Sequence, residues 1–150
     1  EAQLDWILTR EQMAKMVSNY MTNIMWVTWT KYNTKECSNF TDISDLTKEM
    51  KWYAIVSCQL WLMWIDGKGG ILKSFNPKLE VTRAQFGTIL SRMLRWNKYD
   101  GLWWSDWYKN HLNALKKEWI MTKTDNPYTK ELRWWVMVMM KRANEIYKSK

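Results

Sequence analysis

The chain has 150 residues, a formal net charge of +8, 47% apolar residues, and only Gly 5 and Pro 2. This excludes a disordered or collagen-like chain, and no apolar run approaches the ~20 residues of a membrane span. The basic balance favours anionic partners, but Lys and Arg are spread without a dense run, which argues against nucleic acid.

The first expected helix opens in "LTREQMAKMV" at Leu8. Thr9 followed three residues later by Gln12 is a capping box, in which the hydroxyl takes a helix N–H and the amide reaches back. Met13, Met16, Val17, Tyr20, Met21 and Ile24 then form one apolar stripe. The second helix, in "SDLTKEMKWYAIVSCQLWLM", is expected from Asp45 to Leu62 with Ser44 or Asp45 as its cap. Asp42 and Asp45 in "DISD" read first as capping acids. "DGKGG" at Asp66–Gly70 lacks the residue order of a phosphate-binding P-loop and reads as a plain loop.

The third helix opens in "VTRAQFGTIL", where Thr82 and Gln85 repeat the capping box. Phe86, Ile89, Leu90, Met93 and Leu94 repeat the stripe in the same register. The fourth, in "SDWYKNHLNALKKEW", is expected over Asp106–Glu118 with Ser105 capping. Its apolar face is Trp104, Tyr108, His111, Leu112, Leu115 and Trp119. The fifth, in "ELRWWVMVMMKRA", has Leu132 where the others have the Thr cap, so Thr129, one turn earlier, is the expected substitute.

These elements recur. Asn76–Pro77, Arg83 and Arg92 answer to Asn126–Pro127, Arg133 and Arg142 at one constant offset. A period of about 50 residues means stacked units that share a core. The unit is helix, loop, Asn-Pro, helix. Residues 1–35 hold the second half of unit one, 38–96 all of unit two, and 100–150 all of unit three, together one compact domain. Unit one lacks its leading helix, so the natural protein is expected to extend before Glu1.

Arg10 and Arg83 lie off their apolar stripes, in the first helical turn, where the dipole would favour an acid. A guanidinium grips a carboxylate or phosphate bidentately. Beside free first-turn N–H groups it makes an anion site, and with Arg133 that site is expected three times.

Unit two carries Phe40 and Asp42, Trp52, Ala54–Ile55, Phe75–Pro77 and Thr82–Arg83–Ala84. This order resembles the S-layer homology (SLH) domain, with Gln85 in place of the family's acidic residue. Unit three matches through Pro127 and Arg133, and unit one through "LTREQ". The resemblance implies an all-α fold of helix–loop–helix units packed as a pseudo-threefold bundle. It further implies a secreted, extracellular module that anchors a cell-surface protein to an acidic cell-wall polysaccharide without covalent bonds. Arg10, Arg83 and Arg133 become glycan-binding residues on this resemblance, and Asp42 matches the family's acid. Trp52 or Tyr53 is placed either to stack on a sugar ring or to serve as a core aromatic of its helix. Self-association in a surface lattice without a glycan site is the same-class alternative, and a basic module for nucleic acid is the rival from another class.

No catalytic residues, cofactor or metal are expected. His111 is the sole His, without a Ser or Cys at a telling spacing, and one His with two Cys makes no zinc site. Because an envelope protein matures outside the reducing cytosol, Cys37 and Cys58 are expected to form a disulfide.

The count of Trp 13 against Gly 5 is the last anomaly. Trp61 and Trp119 close two helices where the SLH family has glycine and where a helix end commonly takes φ > 0. A side chain there costs roughly 1–2 kcal/mol. Trp6, Trp26, Trp64 and Trp134 also occupy loop or tight-contact positions suited to glycine, whereas Trp52, Trp107 and Trp135 sit beside other aromatics in helices. A gene whose UGA codons specify glycine, read as tryptophan, produces this pattern; a Trp-rich sugar-binding surface is the alternative.

Overall fold

The computed structural model describes residues 3–27, 35–64, 70–101 and 105–149. Trp104, and all of Asp66–Gly70 except Gly70, lie outside the described residues. The fold is all-α. Helices α1 (Arg10–Asn23), α2 (Lys48–Gln59), α3 (Arg83–Arg95), α4 (Lys109–Lys117) and α5 (Arg133–Lys148) follow in order, with a 3-10 turn at Lys35–Ser38. Isolated bridges pair Ile7 with Leu132 and Thr82 with Lys130.

The two capping boxes start the helices they should. Thr82 N–H donates to Gln85 Oε1 at 3.0 Å, and Gln85 N–H to Thr82 Oγ1 at 3.3 Å. In α1, Thr9 N–H donates to Gln12 Oε1 at 3.1 Å, while the Thr9 hydroxyl faces the opposing N–H too loosely for a hydrogen bond. Met13, Val17 and Met21 are buried from the α1 stripe, but Ile24 is exposed. Phe86, Ile89, Leu90 and Met93 of α3 are all buried.

Three caps differ from expectation. Helix α2 starts at Lys48, and its cap is Thr47, which accepts from Met50 N–H at 3.2 Å. Ser44 and Asp45 are occupied with each other, at 3.2 Å, and Asp42 is spent on another loop. Helix α4 starts at Lys109, not Asp106, with no side-chain cap. Its would-be first turn is a separate turn, in which Lys109 N–H donates to Asp106 O at 3.0 Å and Lys109 Nζ pairs with Asp106 at 2.8 Å. Helix α5 follows Leu132 directly with no side-chain cap, because Thr129 belongs to the Asn-Pro turn and gives its carbonyl to Arg83 N–H.

Helix α1 packs on α2, and α3 on α4 and α5. The chain divides into two compact units that cut across the sequence repeat: residues 9–79, and residues 1–8 together with 80–150. In the first unit, Cys37 and Cys58 form a disulfide with Cα atoms 5.7 Å apart, tying the 3-10 turn to α2. Phe75 is fully buried there, edge-on to Phe40 at 5.4 Å. In the second unit, the backbones of Leu8, Val81 and Glu131 close a ring. Leu8 N–H donates to Glu131 O at 2.9 Å, Glu131 N–H to Val81 O at 2.9 Å, and Val81 N–H to Leu8 O at 2.8 Å. Gly87 lets α3 approach α4, since a Cβ at that position would collide with the Leu112 side chain.

Candidate anion-binding site

The two Asn-Pro turns organise the candidate residues. Asn76 and Asn126 have φ of 53° and 52°, a left-handed conformation that Asn adopts more readily than most residues. Both carboxylate oxygens of Asp42 accept from the first turn, one from Phe75 N–H and one from Asn76 N–H, each at 2.7 Å. Asp42 therefore holds a loop rather than capping α2. Arg10 Nη1 donates to Phe75 O at 3.4 Å, and Arg83 Nη1 donates to Asp125 O at 2.7 Å. Each arginine thus clamps the carbonyl just before an Asn-Pro step.

The expected free N–H groups at the helix starts are not free. Arg10 N–H donates to Leu79 O and Glu11 N–H to Pro77 O, at 2.9 and 3.0 Å. Arg83 N–H donates to Thr129 O and Ala84 N–H to Pro127 O, at 2.8 and 2.7 Å. Arg133 N–H donates to Trp6 O and Trp134 N–H to Leu4 O, at 3.0 and 3.2 Å. Turns from elsewhere in the chain satisfy the amides that an anion would have needed, which overturns the helix-terminus part of the expectation.

The three arginines also differ in what remains available. Arg83 Nε donates to Glu131 Oε1 at 2.7 Å, with the Glu131 side chain only 3% exposed, so its charge is neutralised inside the protein. The guanidinium of Arg10 lies 4.5 Å over the Trp64 ring, and its Nε is buried without a partner. Burial pushes its pKa below the ordinary value, against the opposing pull of Asp42. Arg133 lies 5.6 Å over the Trp6 ring, a cation–π contact. Of the two aromatics, Trp52 is 41% exposed and edge-on to Tyr53 at 5.0 Å. Tyr53 is buried in the α1–α2 packing with Lys15 Nζ 5.5 Å over its ring, so it is a core residue and not a sugar platform.

A groove that the sequence did not mark lies next to Arg83. It is shallow and half-open, and is lined by Arg83, Thr122, Lys123, Glu131, Trp135 and Arg142, with Met121 and Met139 beneath. Arg142 is steadied by donating Nη1 to Ile120 O at 3.4 Å. Among the described residues neither Arg142 nor Lys123 has an acidic partner. With Arg83 cancelled by Glu131, the groove keeps two positive charges, one indole wall and one hydroxyl. That is a surface for an anionic, ring-shaped ligand. The repeat offset pairs Arg142 with Arg92, but the two do different work, so periodicity alone could not have singled it out.

Arg92 belongs instead to a cluster between α3 and α4, in which Ser91 and His111 are buried. Its Nε donates to Asp100 Oδ1 at 3.0 Å. The same oxygen lies 2.9 Å from His111 Nε2, poorly aligned for a hydrogen bond, and His111 Nδ1 is 2.9 Å from Ser91 Oγ. Ser, His and Asp thus meet in the order of a hydrolase triad. Ser91 is wholly buried in mid-α3 and His111 is 1% exposed, so no substrate carbonyl reaches the hydroxyl. The cluster ties α3 to α4.

Burial, the largest influence on Asp100, pushes its carboxyl up, but contact with His111 and Arg92 outweighs it and holds the pKa below its ordinary value. A depressed carboxyl contributes stability above its unfolded pKa, and that contribution is lost as pH falls through the folded one. Urea unfolding of Asp100→Asn should therefore lose the part of the acid dependence seen below about pH 4. An acid limb identical to that of the parent would remove Asp100 from the account.

Among the described residues no group of three or more His, Cys, Asp and Glu could hold a metal ion, and no helix is long and apolar enough to cross a membrane. No protein-family model matches the chain, and no curated protein matches it.

Proposed function

We propose that the chain is an SLH-like module that binds an acidic cell-wall polysaccharide and so holds a secreted protein on the cell surface, without catalysis or cofactor. The observation that carries this reading is the groove of Lys123, Arg142 and Trp135 beside the Arg83 clamp, where two unpaired cations and an indole face solvent together. An acidic sugar offers the matching chemistry, a carboxylate for the cations and a C–H face for the ring. Pseudo-threefold packing of the repeats belongs to the same proposal. The closed ring of Leu8, Val81 and Glu131 supports it, because each repeat contributes the equivalent residue. The disulfide favours an oxidising compartment.

Purified wall sacculi should retain the protein, and sacculi stripped of their acidic polysaccharide should not. Equal retention by both would overturn the reading. Arg142→Ala and Lys123→Ala should each weaken retention roughly tenfold, as expected for losing a charged hydrogen-bond partner, with the helical circular dichroism unchanged. Displacement by duplex DNA, with a steep salt dependence, would instead assign the basic surface to nucleic acid.

A further inference from the structure

The backbone demands glycine at specific tryptophans. Among the described residues, the non-glycine positions with positive φ are Trp26 (54°), Trp61 (61°), Trp64 (65°), Trp96 (55°), Trp119 (59°) and the two turn asparagines. Asparagine is at home in that region, and tryptophan is not. Every position apart from the asparagines is tryptophan, although tryptophan supplies only 13 of 150 residues. Conversely, neither Gly87 nor Gly101 has a left-handed φ.

The hydrogen bonds define the need. After α2, Trp61 N–H donates to Cys58 O at 2.8 Å and Leu62 N–H to Ser57 O at 3.1 Å. After α4, Trp119 N–H donates to Lys116 O at 3.1 Å and Ile120 N–H to Leu115 O at 3.0 Å. Both are complete Schellman motifs, with tryptophan at the left-handed position where glycine is usual. Trp96 ends α3 at φ 55° and ψ −134°, the first central conformation of a type II′ turn, which is dominated by glycine. The side chains gain little in return: Trp26 is 84% exposed and Trp119 is 77% exposed. Trp64 is buried, yet its indole N–H has no partner, and it covers an Arg10 whose Nε has none either.

We infer that positions 26, 61, 64, 96 and 119 are glycine in the protein as its own cell makes it, their UGA codons specifying glycine there and tryptophan under the code used for this sequence. Trp6 and Trp134 make no such backbone demand; Trp134 is helical and stacks on Trp135 at 4.1 Å. Glycine at position 64 would also remove the indole lying against Phe75 and Arg10, and so open the clamp of the Asn-Pro turn. The assignment does not depend on the wall-binding reading.

The codons of the source gene test it directly. UGA at these five positions is the expected result, and UGG at them overturns the inference. Tryptic peptides of the native protein should carry glycine there by mass, and tryptophan in them overturns it equally. Recombinant Trp26→Gly and Trp119→Gly should each raise Tm by roughly 2–4 °C, while Trp135→Gly, inside α5, should lower it. A fall in Tm for both Trp26→Gly and Trp119→Gly would show that the backbone does not ask for glycine. Wall retention is a separate measurement, so failure of either idea leaves the other standing.

Discussion

Arg83→Ala is expected to destabilise the protein by about 3–5 kcal/mol, the range for breaking a buried pair and stranding its partner charge. Glu131 would be the stranded group: its side chain is 3% exposed and its partner Nε lies at 2.7 Å. The reverse change should cost less. In Glu131→Leu the guanidinium keeps its bond to Asp125 O, and the side chain is 15% exposed, so it can turn towards water. Leucine also suits the position, because the equivalent ring residues are Leu8 and Val81, both buried. Urea unfolding of the two single variants and the double variant measures the asymmetry and the coupling. Equal costs for the two single changes would mean that Glu131 reaches solvent in solution. The same asymmetry makes Arg83→Ala a poor probe of ligand binding, since lost retention would follow from lost folding. Arg142 and Lys123 are the cleaner probes.

Removing the disulfide is expected to cost about 3 kcal/mol for a loop of this length in the chain-entropy model, the two cysteines being 21 residues apart. Cys37→Ser together with Cys58→Ser avoids leaving a reactive thiol. The effect should be local. Amide exchange should accelerate most in α1 and α2, which lie with the disulfide in the compact unit of residues 9–79, because opening free energy differs between cooperative units. Arg83→Ala should act mainly on α3, α4 and α5. Uniform acceleration across all five helices in both variants would show that the chain opens as one unit.

Much of the secondary structure was legible because it rests on local rules. A Thr and a Gln three residues apart meet in the first turn of a helix whatever surrounds them, so α1 and α3 begin where their capping boxes stand. Stripes at helical spacing identified Met13, Val17 and Met21 of α1 and Phe86, Ile89, Leu90 and Met93 of α3 as buried, but not the small and polar residues buried beside them. The demand for glycine at Trp61 and Trp119 was legible for the same reason, since a helix end has its own conformation. Trp96 escaped, because α3 ends in a conformation that no spacing announces.

Contacts distant in sequence decided the rest. Asp42 was free to cap α2 in any local reading, but two amides 33 and 34 positions away claim its carboxylate. Arg83 reads as a cation awaiting a ligand until Glu131, 48 positions away, pairs with it. The helix-start amides looked open to an anion until distant turns supplied their carbonyls. The sequence by itself determined where helices form and which faces are apolar, because those depend on neighbours three and four residues apart. Only the tertiary structure decided which polar groups are spent and which remain, because a buried polar group must be satisfied by whatever the fold brings to it.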